Sequence, residues 1–343
     1  MKEFSTKLIE WQRDFGRNDL PWQKTTPYEV WISEIILQQT QVVTAIPYFN
    51  KFITKFPNLD KLSNAKIDQI LAIWSGLGFY ARARNIYKAA KIIKSCHRGK
   101  LPRSLDKLTQ LPGIGKSTAG AIISLGYKQK AAILDGNVKR VLSRYFKIQE
   151  NLSLAHTNRK LWQISEKLLP KKNIDIYNQA IMDIGALICT KASPSCKACP
   201  LNENCLAFKA NLINKIPYKK KTTKKPLKTV HWLIPQNSNG EILLEKRKKR
   251  GIWEGLWSFI ESKDKNVLEK ECKLRFKDNY IKLKKLKKIK YSFSHYRLEA
   301  IPYSTEINMG NKYKNTKWVS SRNMDSFGMP APIKKLIQEI SST

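Results

Sequence analysis

Hydrophobic residues in the first 215 positions recur with the three- and four-residue spacing of amphipathic helices. The clearest case spans residues 4–15, where apolar side chains share one helical face and Gly16 marks the end. The same spacing predicts further helices at residues 28–56 (with breaks near Thr40 and Pro47), 62–74, 81–96, 138–146, 157–168 and 174–187. Because strand patterns are scarce here, we expect residues 1–215 to form a mostly α-helical region with short connections.

The pattern changes after residue 215. Residues 216–229 contain two prolines and a run of lysines with little to bury, which indicates an exposed basic linker. Beyond it, apolar segments at 230–234 and 241–246 flank Asn237-Ser238-Asn239-Gly240, a strong hairpin pattern. Later segments predict a helix, an alternating strand region and a terminal helix, at residues 267–276, 290–303 and 331–340. We therefore expect a smaller α+β domain at residues 230–343.

The charge of the chain favours a polyanionic partner. The 343 residues carry a formal net charge of +37, from 64 Lys and Arg against 27 Asp and Glu. Such an excess is typical of proteins that bind nucleic acid or an anionic membrane surface, although lysine is abundant everywhere and the charge locates no site. The N-terminus lacks a signal-peptide core, and no apolar run is long enough to cross a membrane. We expect a cytoplasmic monomer with no membrane contact.

The cysteines indicate a metal centre. Four of the six cysteines fall within residues 189–205, in the pattern Cys189-x6-Cys196-x2-Cys199-x5-Cys205. In a reducing compartment so tight a group points to metal ligands rather than disulfides. Four cysteines are the usual ligands of structural zinc, whereas a proline directly after a cysteine, here Pro200, is typical of iron–sulfur proteins. The spacing alone leaves both metals open.

A glycine hairpin and an acid form the second candidate site. Leu111-Pro112-Gly113-Ile114-Gly115 precedes a helix that we expect to begin near Lys116. Gly113 and Gly115 permit backbone angles that other residues resist, and they leave no Cβ to block close approach by a ligand. A helix N-terminus attracts anions such as phosphate, and Asp135 follows at the head of the next helix. Alone, this pattern is more often just a turn.

Taken together, these motifs resemble the endonuclease III (helix-hairpin-helix-GPD) superfamily of base-excision repair glycosylases, and within it the MutY-type adenine DNA glycosylases. The resemblance is carried by WISEIILQQTQV (31–42), GLGFYARARN (76–85), LPGIGKSTAGAI (111–122), LDGNVKRVLSR (134–144) and NQAIMDIGALIC (178–189). It implies a six-helix module beside a domain with a [4Fe–4S] cluster on Cys189, Cys196, Cys199 and Cys205. The implied partner is double-stranded DNA in which adenine is mispaired with 8-oxoguanine or guanine.

The resemblance also implies two catalytic carboxyls. Glu34 lies among apolar residues on a predicted helix, and burial without a cation would keep it protonated, although periodicity alone favours an exposed glutamate. Asp135 is suited to cap a helix, whose N–H groups would keep it ionised. Opposite protonation states suit N-glycosidic cleavage. By resemblance, Glu34 protonates adenine and helps activate water, Asp135 stabilises the oxocarbenium-like sugar, and Asn137 orients these groups.

Other positions refine the expected reaction. Ser117 stands where glycosylases with lyase activity have the lysine that forms a Schiff base, so we expect base release without strand cleavage. Lys116 is expected to point toward phosphate. The resemblance implies that Gln39 and Phe79 fill the base stack when adenine is extruded, with Phe79 replacing the commoner tyrosine. It also places Gln179 in the adenine pocket.

The second domain has its own resemblance. Residues 251–257 (GIWEGLW) and the triplet Phe293-Ser294-His295 are similar to the Nudix-like domain of MutY-type enzymes, which implies recognition of 8-oxoguanine. Residues 267–276 offer only Glu269 and Glu271 where a Nudix hydrolase needs a larger acidic cluster, so we expect no pyrophosphatase activity.

Two alternatives remain. One is an endonuclease III-like glycosylase/lyase for oxidised pyrimidines, which Ser117 and the extra domain oppose. The other is a non-catalytic, zinc-stabilised DNA-binding protein, which the charge and the cysteines alone would fit.

Overall fold

The computed structural model describes residues 2–218, 224–248, 251–277, 280–307 and 313–341. The chain divides into two compact units. The first comprises Met1–Asn64 and Asn85–Lys221, and the second comprises Ala65–Arg84 and Thr222–Thr343. The second unit thus includes a stretch that lies within the region predicted to be helical. The predicted linker at 216–229 lies partly outside the described residues.

The region before residue 215 is helical, as predicted. Its helices are α1 (Lys2–Phe15), α2 (Pro27–Leu37), α3 (Val42–Lys55), α4 (Leu59–Ser63), α5 (Ile67–Ile73), α6 (Ala81–Cys96), α7 (Leu105–Thr109), α8 (Lys116–Ala121), α9 (Gly136–Tyr145), α10 (Ala155–Lys167), α11 (Ile174–Asp183) and α12 (Leu206–Lys209). Across the part of the chain that the structure describes, no helix is both long and apolar enough to cross a bilayer.

Two helix boundaries differ from the sequence prediction. The single helix predicted at 62–74 is divided into α4 and α5, because Lys66 adopts an extended conformation and the side chain of Gln69 accepts its N–H at 2.9 Å, which starts a new helix. Pro47 lies inside α3 rather than ending it. The carbonyl that its missing N–H would have bonded belongs to Val43, which is 81% exposed in the first turn, so water can satisfy that carbonyl.

The core of the first unit forms between α1, α9, α10 and α11. Fully buried side chains at its centre come from each of these helices: Leu8, Leu142, Leu161 and Ile181. Two glycines permit close packing beside it. A Cβ at Gly120 would lie 2.0 Å from the carbonyl oxygen of Ala132, and one at Gly185 would lie 2.6 Å from the Cβ of Asn137. The π-helical turn at Gly185 therefore packs closely on the start of α9, and α8 packs closely on the segment that precedes it.

Helices α8 and α11 each continue as one π-helical turn, at Ile122–Gly126 and Ile184–Ile188. Such turns are uncommon in soluble proteins and often accompany functional sites. The second of them carries Gly185, so the irregular turn lies directly against the start of α9.

Among its described residues from 224 onward, the second unit contains an eight-stranded sheet and two α-helices, in addition to α5 from its first stretch, which confirms the predicted α+β class. Its elements are β1 (Leu227–Asn237), β2 (Ile242–Lys246), β3 (Trp257–Ser258), β4 (Ile260–Ser262), α13 (Lys265–Phe276), β5 (Lys284–Lys285), β6 (Ile289–Ser292), β7 (Arg297–Ile307), β8 (Thr316–Val319) and α14 (Ala331–Ser341). The order is β3-β2-β1-β7-β5, with β8 on β2, β4 on β1 and β6 on β7. Strands β1 and β7 are parallel, from Leu227 opposite Arg297 to Asn237 opposite Ile307.

The predicted hairpin joins β1 to β2. The side chain of Asn237 accepts the N–H groups of Asn239 and Glu241 at 3.0 and 2.9 Å, and Gly240 takes a φ of +72°. The strand region predicted at 290–303 is interrupted, because β6 ends at Ser292 and β7 begins at Arg297. His295 therefore lies in a turn rather than in a strand, and the alternating pattern of the sequence did not reveal this reversal.

Candidate active site and metal centre

A cavity of about 870 Å³ opens in the first unit, lined by residues of α2, α8, α9 and α11. Five residues that the sequence analysis singled out line it together: Glu34, Ser117, Asp135, Asn137 and Gln179. Its size and mixed polar and apolar wall are typical of a small-molecule or base-binding pocket.

Glu34 lies on α2, which a capping box between Thr26 and Glu29 starts. Its neighbours Ile32, Ile35 and Ile36 are buried, and Glu34 itself is partly buried in the cavity wall. Burial raises the pKa of its carboxyl from 4.5 to about 8, and the nearby charge of Asp135 adds to this rise. Glu34 therefore carries a proton at neutral pH.

Asp135 is the N-cap of α9. Its Oδ1 accepts the backbone N–H of Val138 at 2.7 Å, and its Oδ2 accepts from the Asn137 side chain at 3.3 Å. Burial raises the pKa of Asp135, but these hydrogen bonds and the charge of Arg140 act in the opposite direction. The pKa of Asp135 is raised overall because burial outweighs these donors, whereas at Glu34 burial and the Asp135 charge both raise the pKa, so the proton favours Glu34.

Arg140 fixes Asn137 and was not singled out from the sequence. Its Nη2 donates to the Oδ1 of Asn137 at 2.8 Å and to the carbonyl oxygen of Gly185 at 2.6 Å. Its Nε donates to the carbonyl oxygen of Cys189 at 2.7 Å. Arg140 is three residues after Asn137 on the same helix, and this spacing is the available sequence evidence for the contact.

Asp183 is a second residue that the sequence analysis missed. It is fully buried on α11 and accepts from the Arg17 Nε and backbone N, each at 3.0 Å, and from Gln12 at 3.2 Å. The Nε2 of Gln179 also donates to it at 2.9 Å, so the orientation of Gln179 in the cavity wall is fixed. A charged residue within the apolar run of α11 was the sequence feature that could have revealed this network.

Ser117 accepts the backbone N–H of Leu134 at 3.1 Å, which joins α8 to the segment before Asp135. Lys116 is engaged elsewhere. Its Nζ lies 2.8 Å from Glu166 and 4.2 Å from the centre of the Trp162 ring, both on α10. Its expected phosphate contact stays a prediction.

The two hairpin positions differ in how strongly the backbone and the packing require glycine. Gly113 has a φ of +82°, and a Cβ there would lie 2.8 Å from the Cβ of Asn85, so backbone and packing both favour glycine. Gly115 has a φ of −86°, which any residue adopts, so its backbone does not use the freedom that glycine permits. A Cβ at Gly115 would meet open space, which leaves close approach of a ligand as a reason for glycine.

Gln39 in the first unit and Phe79 in the second are both exposed, and both have left-handed backbones, with φ of +59° and +47°. The Phe79 ring is 47% exposed, and the guanidinium of Arg82 lies 5.6 Å from its centre. Strained and exposed non-glycine residues are characteristic of functional sites.

Phe293, Ser294 and His295 form the turn between β6 and β7. The N–H of Phe293 donates to the carbonyl oxygen of Tyr296 at 2.9 Å, and the Phe293 ring packs 5.3 Å from that of Trp253. Ser294 and His295 are exposed, and the Ser294 Oγ lies 3.1 Å from the His295 Nδ1. The turn thus exposes two polar side chains, while its Phe293 ring packs against another aromatic side chain.

Cys189, Cys196, Cys199 and Cys205 line one cavity, together with Ile188, Phe208 and Ile213. Burial raises the pKa of Cys199 to about 12 and also raises those of Cys196 and Cys205, so these thiols need a bound cation to act as thiolates. The guanidinium of Arg144 donates to the Cys189 Sγ at 3.3 Å, as expected of a residue that supports a ligand sulfur.

The four cysteines form an all-sulfur donor set around one cavity. Structural zinc ions and iron–sulfur clusters are both bound by sets of four cysteines, so the donor chemistry of the cavity fits either group.

Comparisons with known proteins agree with this geometry. Residues 32–167 match the family described as "HhH-GPD superfamily base excision DNA repair protein", and residues 231–339 match the NUDIX domain. The chain is 42% identical over 344 residues to the adenine DNA glycosylase of Buchnera aphidicola subsp. Baizongia pistaciae, covering 98% of this chain and 96% of the relative. It is also 42% identical over 343 residues to that of Buchnera aphidicola subsp. Schizaphis graminum, covering 98% of each.

A solved structure resembles the first part of the chain. The structure of a thermostable thymine-DNA glycosylase superposes with a TM-score of 0.55 at 27% identity, over 60% of this chain and 95% of that one.

Proposed function

Because the chain belongs to the adenine DNA glycosylases of the HhH-GPD base excision repair superfamily, we propose that it releases adenine mispaired with 8-oxoguanine or guanine. The observation that carries the proposal is the pair of carboxyls in one cavity, with Glu34 protonated near neutral pH and Asp135 held by helix N–H groups. The bond that breaks is the N-glycosidic bond, and water supplies the hydroxyl that replaces the base.

Glu34 acts as the general acid. A pKa of about 8 lies near the working pH, which suits a group that must give a proton to the adenine ring and then take one from water. Asp135 stabilises the positive charge that develops on the sugar, and Asn137 holds it in place at 3.3 Å. The adenine must first leave the duplex, since neither acid can reach a stacked base.

The cavity supplies polar groups for the edge of the base. Gln179 lines it and is fixed by Asp183, and Arg17 also lines it and bonds to the same carboxylate. Side chains with a single imposed orientation discriminate between bases better than mobile ones do. We assign Gln179 to the adenine edge.

The reaction stops at base release. Ser117 carries a hydroxyl that accepts a backbone N–H, and a serine cannot form the Schiff base that strand cleavage requires. This favours a monofunctional glycosylase over an endonuclease III-like glycosylase/lyase.

The four cysteines of residues 189–205 would hold a [4Fe–4S] cluster. When bound, such a cluster would cross-link the segment between α11 and α12. Arg140 and Arg144 join this segment to α9 through Cys189, so the segment also supports the position of Asn137.

DNA is the partner of the protein, and several predicted contacts remain proposals. We assign the hairpin at Gly113 and Gly115 to the DNA backbone, and Gln39 and Phe79 to the gap left by the extruded base. The turn of Phe293, Ser294 and His295 provides exposed hydrogen-bonding groups for 8-oxoguanine. The proposed domains are a glycosylase region at 1–215, a linker at 216–229 and an 8-oxoguanine recognition domain at 230–343.

The test uses a duplex with one adenine:8-oxoguanine pair, incubated with the protein and then divided, with half treated with alkali. Breaks that appear only after alkali are expected. Strand breaks without alkali would contradict a monofunctional reaction. The absence of strand breaks in both halves would overturn the proposed glycosylase activity. Glu34→Gln should abolish adenine release while it leaves duplex affinity intact, and Glu10→Gln, an identical change at an exposed position, should leave release unchanged.

A further inference from the structure

The loop that carries Phe79 is tied to the backbone of Met329, within the second compact unit. The Tyr80 hydroxyl donates to the carbonyl oxygen of Met329 at 2.8 Å and accepts the N–H of Gly76 at 3.2 Å. The Ser75 Oγ donates to the same carbonyl at 2.7 Å and accepts the N–H of Met329 at 3.1 Å. Tyr80 is only 6% exposed and Met329 is fully buried, so these bonds are shielded from water.

The loop needs such support because the backbone of Phe79 is strained. Gly76, Gly78 and Phe79 all have left-handed backbones, with φ of +95°, +76° and +47°. A left-handed phenylalanine persists only where its surroundings determine its conformation. The carbonyl of Gly78 accepts from the indole of Trp74 at 3.1 Å and from Arg82 at 3.2 Å, which holds the far side of the loop.

The segment around Met329 is itself anchored to the sheet. The N–H of Trp257 on β3 donates to the carbonyl oxygen of Gly328 at 2.9 Å, and the rings of Trp257 and Phe327 pack edge to face at 5.9 Å. A Cβ at Gly328 would lie 2.6 Å from the Cβ of Leu71 on α5, so this segment also packs closely on the helix before the loop. The sheet thus supports the loop through residues 327–329.

We propose that Tyr80 and Ser75 are positioning residues that hold Phe79, through the backbone of Met329, in the conformation that displaces the target base. This inference rests on the proposed function, which assigns Phe79 to the gap in the base stack. It gives residues 327–329 a part in base extrusion that is separate from recognition of the opposite base.

The test begins with Tyr80→Phe, which removes one hydroxyl and keeps the ring. Single-turnover adenine release is measured on an adenine:8-oxoguanine duplex. Extrusion is followed by the fluorescence of 2-aminopurine placed beside the target adenine. Loss of the hydroxyl bonds should slow release about fivefold and reduce the fluorescence rise. Tyr127→Phe, which removes a hydroxyl bonded to the Leu101 carbonyl at 2.6 Å, should leave both unchanged.

The deciding step repeats Tyr80→Phe in a Phe79→Ala protein. If Tyr80 acts through Phe79, Phe79→Ala slows release and the second change then slows it no further. Equal losses from Tyr80→Phe in both backgrounds would overturn the inference, as would wild-type behaviour of Tyr80→Phe or of Phe79→Ala. Absence of adenine release by the unmodified protein would instead overturn the proposed function, and this inference with it.

Discussion

Glu34 should make the protein less stable as the pH rises. In the folded protein its carboxyl has a pKa of about 8, and in the unfolded chain the ordinary value of 4.5 applies. Between these values the folded state holds a proton that the unfolded state has lost, so the free energy of unfolding falls as pH increases. From about pH 6 to about pH 9 this amounts to about 2.7 kcal/mol, and we expect about 2 kcal/mol because the cavity leaves the carboxyl partly open to water.

Glu34→Gln removes this dependence, because an amide is neutral at every pH. Denaturant unfolding gives the free energy of unfolding of the wild type and the variant at about pH 6 and about pH 9. Between these two pH values, the stability of the variant relative to the wild type should increase by about 2 kcal/mol. Glu10→Gln controls for removal of an exposed carboxylate. A difference between wild type and Glu34→Gln that stays constant with pH would refute the raised pKa, and with it the role of Glu34 as a proton donor.

Two further changes test the hairpin and the second domain. Gly113→Ala should cost about 1–2 kcal/mol of stability by its φ of +82° and its contact with Asn85, whereas Gly115→Ala should leave the unfolding midpoint unchanged and weaken duplex binding. Equal effects of the two substitutions on stability, measured by thermal unfolding, would contradict this distinction. His295→Ala should reduce the preference for 8-oxoguanine over guanine opposite adenine, measured by competing the two duplexes. An unchanged preference would remove His295 from base recognition.

The elements of the fold were largely predictable because local patterns specify them. The apolar stripe of α1 and the Asn-Ser-Asn-Gly turn between β1 and β2 depend on residues that are near one another in the sequence. The break between α4 and α5 was not predictable in this way, since apolar spacing continues across it and a single side-chain bond from Gln69 restarts the helix. The turn at Phe293 was hidden for the same reason, because its residues continue the alternating pattern.

Residues of the candidate site were predictable where a local sequence motif contains them. They were not predictable where their role depends on a hydrogen-bond partner that is far away in the sequence. Asp135 as an N-cap follows from its position before α9, and the structure places it there. The bond between Arg17 and Asp183 joins residues 166 positions apart, and that between Ser75 and Met329 joins residues 254 apart. No periodicity relates such residues, so only the folded chain reveals that these polar groups support the cavity and the Phe79 loop.

The two carboxyls of the cavity have the same chemistry, but their positions on the helices give them different hydrogen-bond donors and so different influences on their pKa. Glu34 lies within α2, where the backbone N–H groups of the helix already bond to its own carbonyls and none remains for a side chain. Asp135 lies at the start of α9, where the first N–H groups have no partner within the helix and one of them bonds to its Oδ1. Desolvation raises the pKa of both acids, but only Asp135 receives donors that act against this rise. A mid-helix acid and an N-cap acid that line one cavity therefore have different electrostatic surroundings, which favour the proton on Glu34 and the negative charge on Asp135.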